Sequence, residues 1–364
     1  PLAAPARRPP DELREYVRRL VEPHLVPGAD PRQPELLAKV DGATGEAMRQ
    51  ILHHPAFQEL EAAWRAVYLL VRRVETGENL KLFLLDISKA ELAADLAAAE
   101  DLRQSGTYKL LVEKTVQTSG AAAWSVLAGN FTFAPTRDDV LLLARLATVA
   151  RAAGAPFLGG AATRVLGFAS FGEMPDVRTW AGPADAEAWQ ALRALPQAVW
   201  LGLTVPRVLL RLPYGKQTDP VERFAFEEMP SLPAHENYLW GNSALLCALL
   251  LAQSFSEAGW EMRPGMHQEV DGLPLHVYKR DGESVAKPCA EALLTEEVGQ
   301  AATGDDIGDR LRLDDVGRID IADGPGVGSP SHRLASGRSV ARKWGTQGCL
   351  RRFAKRERAS TREP

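Results

Sequence analysis

The chain has 364 residues and a formal net charge of −4, with 45% apolar and 25% charged residues. That composition is ordinary for a globular protein able to bury a sizeable core, and it excludes a global basic field suited to nucleic acid. The three cysteines, Cys247, Cys289 and Cys349, are far apart and form no CxxC pair, which excludes a disulfide framework or zinc ribbon and fits a reducing cytoplasm.

The first ten residues are rich in Pro and Ala, carry Arg7 and Arg8, and lack an apolar core, so no signal peptide is expected. From Asp11 to Val21 the residues Leu13, Tyr16, Val17, Leu20 and Val21 recur at helical spacing, with Arg14, Arg18 and Arg19 on the other face. This predicts an amphipathic helix. Residues 24–34 hold three prolines and a glycine and read as a linker.

The next helix is predicted from Pro55 to Glu75, with Phe57, Leu60, Trp64, Val67, Tyr68, Val71 and Val74 as one apolar stripe. Pro55 suits its first turn and Gly77 its stop. Leu80–Ile87 (LKLFLLDI) reads as a buried strand. Ser88 then caps a helix through Ala99. Another helix is expected near Tyr108–Gln117, then a strand at 124–133, a helix at Asp138–Ala153 and a short extended piece at Pro156–Gly160. A helix at Asp185–Leu195 and a strand at Ala198–Thr204 follow. Strands alternating with helices predict an α/β core.

The helix expected from Asn237 to Ala258 is apolar nearly all round and therefore central. Its longest apolar stretch, Ser243–Ala252, is shorter than the roughly 20 residues of a bilayer span. Val270–Lys279 reads as a strand or hairpin. Beyond Gly299 the chain is rich in Gly and Asp, then in Arg, and is expected to be poorly ordered. The expected organisation is an N-terminal arm at 1–34, a core at 35–299 and a divergent tail at 300–364.

Few residues carry a chemical motif. His53 and His54 lie near Glu59 and Glu61 without HExxH spacing, so they read as residues at a helix start rather than metal ligands. Glu227 and Glu228, with His235 and Glu236, could form an acid/base cluster. Arg207 and Arg211, four apart and sharing a face if helical, favour a structural Arg–Glu network instead. Gly324–Gly328 lacks the Gly-Lys-Ser/Thr of a phosphate loop. The basic tail reads as solvated, and Trp64, Trp240 and Trp260 read as core anchors. No cofactor, metal or nucleotide site is expected.

The order of certain segments carries more information than their periodicity. They are Phe57–Arg65 (FQELEAAWR), Pro206–Gly215 (PRVLLRLPYG), Phe226-Glu227-Glu228, Tyr238–Asn242 (YLWGN) and Gly259-Trp260. Lys287–Glu291 (KPCAE) and Leu293–Glu296 (LLTE) join them. Over about residues 11–299 the chain resembles the large subunit of the bacterial type VI secretion contractile sheath. The resemblance implies a fold similar to contractile phage-tail sheaths and a mechanical, non-enzymatic role in the cytoplasm. It also implies family-signature positions at Trp64, Arg65, Pro206, Arg207, Arg211, Pro213, Tyr214, Gly215, Glu227, Glu228, Trp240, Gly241, Asn242 and Trp260.

Partners implied in the same way are a small sheath subunit, further copies of the chain, an inner tube, baseplate components and a Clp-type recycling ATPase, with no nucleic acid and no membrane insertion. The helix at 11–21, through Leu13, Tyr16, Val17 and Leu20, is the candidate site for that ATPase. Such sheaths join protomers by adding strands to sheet edges. Residues 300–364 depart from the family pattern. Alternatives are the sheath of an extracellular phage-tail-like particle, a non-polymerising adaptor or degenerate paralogue, and an α/β enzyme using the Glu227–Glu228 region.

Overall fold

The structure is a computed structural model. It describes residues 11–22, 32–262 and 269–292, apart from residues 174, 177–179, 181, 184 and 231. The expectation of disorder for 300–364 falls outside the described residues. Helices and sheets are mixed, as the alternating pattern predicts.

Three N-terminal helices come first: α1 (Asp11–Val21), α2 (Gln33–Leu52) and α3 (Pro55–Arg73). The sequence reading assigned nothing to α2. Its start is marked by Pro34 in the first turn, and it runs up to the His53–His54 break. α3 also opens on a proline, with His54 as its N-cap in an extended conformation. Helix α4 (Lys89–Ala98) starts on a full capping box, in which the Ser88 hydroxyl accepts from Glu91 N–H and the Glu91 carboxylate accepts from Ser88 N–H. Replacing Ser88 with Ala should cost about 1 kcal/mol, read as a lower urea midpoint with an unchanged slope. An unchanged midpoint would show that the cap contributes nothing.

Short helical turns follow, α5 (Gly106–Tyr108) running into a π-helical turn at Lys109–Glu113. Asp95 holds this corner by accepting from Gly106 N–H, Thr107 N–H and the Thr107 hydroxyl. Then comes a strand-helix alternation: β1 (Leu127–Phe133), α6 (Arg137–Ala153), β2 (Phe157–Ala161), α7 (Ala186–Ala194) and β3 (Leu201–Thr204). The three strands form one parallel sheet in the order β1-β2-β3. All five residues of β2 are buried, as a central parallel strand covered on both faces requires.

The main core lies around α6. Its Val140, Leu143, Leu146 and Ala150 repeat at helical spacing and pack with Phe133, Phe157, Trp189 and Leu203. Phe133 and Leu143 are fully buried, and side chains of this size contribute about 1.5–3 kcal/mol each. Thr136 caps α6 at its start, and Gly154, at φ 70°, ends it in the left-handed conformation that suits glycine.

The remaining elements are β4 (Val208–Leu209), β5 (Trp240–Gly241), α8 (Ser243–Ala258) and the hairpin β6–β7 (His276–Arg280, Glu283–Lys287). α8 is capped by Asn242, whose side chain also donates to Phe131 O of β1. Gly160 of β2 lets this amide approach, since a Cβ there would sit 2.9 Å from it. A second core joins α8 to α3 and β4 through Leu246, Leu249, Leu250, Leu70, Val74 and Val208.

Four expectations are corrected. Leu80–Ile87 belongs to no sheet: its composition suits a strand, but no described strand pairs with it. α8 begins at Ser243 rather than 237, because Trp240–Gly241 pairs antiparallel with Val208–Leu209. Arg207 and Arg211 flank the strand β4, not a helical turn. Finally, Trp64 and Trp260 are 67% and 40% exposed, so of the three tryptophans only Trp240 is a core anchor. α3 has two apolar faces, and periodicity could not separate the buried one, with Ala66 and Leu70, from the outward one.

Candidate functional site

Arg65, Arg211, Tyr214 and Glu228, four of the residues singled out in the sequence, meet around Glu61 of α3. Arg211, at the end of the β4 segment, is 6% exposed and lies between two carboxylates. It donates to Glu61 Oε1 at 2.7 Å and Oε2 at 3.2 Å, and to Glu228 Oε2 at 2.6 Å and Oε1 at 3.1 Å. Its guanidinium also lies 4.5 Å from the Tyr214 ring centre. Glu228, 1% exposed, accepts in addition from Tyr214 N–H. Arg65 bridges Glu61 and the Tyr214 hydroxyl. A planar fork with five donors suits this paired, bidentate geometry.

Burial opposes ionisation of Glu61, but hydrogen bonds from Arg211 and Arg65 outweigh it and hold its carboxyl below the ordinary value. Burial likewise opposes the charge of Arg211, and the two carboxylates outweigh it, raising its pKa further. His53 stands at the edge of this network. Its Nε2 is 3.5 Å from Glu228 Oε1 but has no hydrogen-bond partner, and burial lowers its pKa.

Glu227 does not join this network. Its carboxylate accepts from Lys216 N–H, and its main-chain carbonyl accepts from Arg49. A Cβ at Gly215 would meet the Glu227 carboxylate, so a larger residue there would displace that side chain.

A second network lies around Glu291, 4% exposed. Arg207 donates to its two oxygens at 2.9 and 2.6 Å. His235 Nε2 is 3.0 Å from Glu291 Oε1, and Lys287 Nζ is 2.9 Å from His235 Nδ1. Lys287 also lies over the rings of Tyr238 and Trp240. Burial opposes ionisation of Glu291, but His235 and Arg207 together lower its pKa to about 2. Glu291 and Lys287, the anchors of this network, were singled out in the sequence only as part of the KPCAE segment.

Glu227, Glu228, His235 and Glu236 are therefore not brought to one place. Glu228 is tied to Arg211, His235 to Glu291, and Glu236 to the Ser170 hydroxyl. Every buried carboxylate in the two networks is neutralised by a cation, which is the arrangement of a scaffold rather than of a poised acid and base. Among the described residues no group of three or more His, Cys, Asp or Glu is placed to hold a metal ion.

What the site presents outward is apolar. Leu60, Trp64, Tyr68 and Val71 form a stripe along the outer face of α3, with Trp64 67% and Tyr68 65% exposed. On α2, Leu36, Leu37, Val40 and Ile51 are also exposed. Contiguous exposed apolar surface of this kind marks an interaction face. Pro206, Pro213 and Gly241 are buried. On α1, Tyr16 and Leu20 are exposed; Leu13 and Val17 lie in the same helix.

The profile described as EvpB/VC_A0108, tail sheath N-terminal domain (VipB), matches residues 34–303. The chain belongs to this tail sheath family. It is similar to the type VI secretion system sheath protein TssC1 of Pseudomonas aeruginosa, 37% identical over 275 residues, which is 73% of this chain and 55% of that protein. The chain thus spans about half the length of the curated relative it matches. No helix among the described residues is long and apolar enough to cross a membrane.

Proposed function

We propose that this chain is a structural subunit of the contractile sheath of a bacterial type VI secretion apparatus. In the cytoplasm it assembles with a small sheath subunit and with further copies of itself into a helical tube around an inner tube. The observation that carries this reading is the family match over residues 34–303, and the exposed apolar faces of α2 and α3 support it. A head-to-tail contact that does not close on itself generates a helical filament. The role is mechanical: the work of contraction comes from the difference in packing free energy between two arrangements, with no catalytic residue. In the same reading α1 offers Tyr16 and Leu20, with Leu13 and Val17, to a Clp-type recycling ATPase.

Co-expression with the small sheath subunit, followed by electron microscopy, tests the proposal. Tubes are the expected result; a soluble chain that forms no complex would refute it. Replacing Trp64 with Glu should leave the unfolding midpoint within about 0.5 kcal/mol of the parent, as for an ordinary surface change. It should weaken association by roughly 30-fold or more, since buried interface tryptophans contribute about 2 kcal/mol or more. Undiminished tube formation by this variant would remove the α3 face from the interface.

A further inference from the structure

Lys287 is held in a different way from Lys39 and Lys89. Those two face carboxylates, of Glu35 at 2.8 Å and of Asp139 at 2.6 Å. Lys287 Nζ instead meets a ring nitrogen, His235 Nδ1, at 2.9 Å. On the far side of that ring, His235 Nε2 faces Glu291 Oε1 at 3.0 Å. The three side chains form a file that opens outward. The Glu291 side chain is 2% exposed, that of His235 12%, and Lys287 is half-buried.

The chemistry of the file follows from its inner end. Glu291 is ionised, with a pKa of about 2, and can only accept, so His235 Nε2 carries a hydrogen. Two states then satisfy the outer contact. Either the Lys287 ammonium donates to a neutral ring, or an imidazolium donates from Nδ1 to a neutral amine. They differ in the place of one proton, and the charge of Glu291 favours the imidazolium. Burial opposes the charge on Lys287 and holds its pKa below the ordinary value, against the pull of Glu291 and Glu236.

The parts are also fixed in place. Lys287 ends β7 and pairs with His276 of β6. The His235 ring lies 5.1 Å from that of Trp240, whose indole N–H donates to His235 O. The rings of Tyr238 and Trp240, 5.8 and 5.5 Å from Nζ, wall the amine with apolar surface. An amine, a base within hydrogen-bond reach and a carboxylate that orients the base are the parts of an activated nucleophile.

We propose that Lys287 is an acylation site, whose amine takes a small acyl group from an activated donor, a thioester or an acyl phosphate, with His235 as the base. One ammonium proton passes to His235 Nδ1 and frees the nitrogen pair. Nζ attacks the acyl carbon, a C–N bond forms, and the C–S or C–O bond to the leaving group breaks. The thiolate or phosphate departs with the bonding pair and takes the second Nζ proton, and His235 returns the first to water. The product is a neutral amide that keeps one N–H and carries no charge over the Tyr238 and Trp240 rings. Nothing in this step depends on assembly into a sheath.

The test is to incubate the purified full chain with acetyl-coenzyme A in one arm and acetyl phosphate in the other, and to follow each lysine by peptide mass spectrometry. The exposed Lys216 and Lys279 serve as references. Lys287 should be labelled at least about 10-fold faster than either, a small part of the roughly 100-fold or more that a positioned base supplies. Labelling in one arm alone supports the site and identifies its donor. Replacing His235 with Gln keeps a donor for Glu291 and removes the base. In that variant Lys287 should slow to the reference rate while Lys216 and Lys279 keep theirs. The parent's ratio of Lys287 to Lys279 decides the site without any variant: a ratio near one in both arms overturns the proposal. Undiminished labelling of Lys287 in His235→Gln overturns the role of the base.

Discussion

Replacing Arg211 with methionine is expected to cost about 3–5 kcal/mol, the usual range when one partner of a buried charge pair is removed. Glu228 would keep only Tyr214 N–H as a donor while 1% exposed, and Glu61 would keep only Arg65. Against a typical domain stability of about 5–15 kcal/mol the loss is large. Urea unfolding followed by tryptophan fluorescence would measure it. Adding Glu228→Gln to the methionine variant should restore part of the loss, because it removes the unpaired buried charge rather than a contact. Arg211→Lys should fall between the two, since an ammonium cannot reproduce the two-sided fork. A methionine variant with the parent's midpoint would mean that the network is ornamental to stability.

The second large effect is a dependence on acid. Glu291 has a pKa of about 2 in the fold against an ordinary 4.5. A carboxyl depressed on folding contributes stability that is complete above its unfolded pKa and is lost as pH falls through the folded one. The window is therefore from about pH 4.5 down to about 2, and the amount at stake is roughly 3 kcal/mol. Glu61 and Asp95, also held below their ordinary values, act in the same direction. Glu291→Gln should be less stable at neutral pH and should flatten the stability profile below about pH 4.5. Parallel profiles for parent and variant would show that Glu291 is not the group responsible.

Much of the architecture was legible because it is local. The apolar repeat and Thr136 cap of α6, the Ser88–Glu91 capping box and the proline start of α3 are each written within a few residues. The alternation of strands and helices then gave the α/β core. The site was harder to read because its partners are distant in the chain. Arg211 and Glu61 are 150 residues apart, and Arg207 and Glu291 are 84 apart. The sequence pointed only to Arg207 and Arg211 with the nearby Glu227 and Glu228, of which the structure joins Arg211 to Glu228. Local spacing also misled at Arg207 and Arg211, which share a side of the chain on a strand as well as on a helix. On α3 the stripe through Trp64 and Tyr68 was read as core, because an exposed apolar stripe has the same sequence pattern as a buried one. Leu80–Ile87 has the side chains of a strand, but a strand is defined by its neighbour.

The position of Arg211 has a mechanical consequence. Two of the ties between α3 and the rest of the chain are unlike in kind: an apolar seam to α8 through Leu70 and Val74, and the Glu61–Arg211–Glu228 clamp to the β4 segment. Apolar contacts can slide at little cost, because they have no preferred direction. Bidentate charge pairs shielded from water resist displacement along the helix axis and across it. A pull on the outer face of α3 is thus borne first by the clamp and passed through β4 and its pairing with β5 to the start of α8 and the sheet it covers. The helix that presents the largest exposed aromatic side chains is also the one anchored against shear.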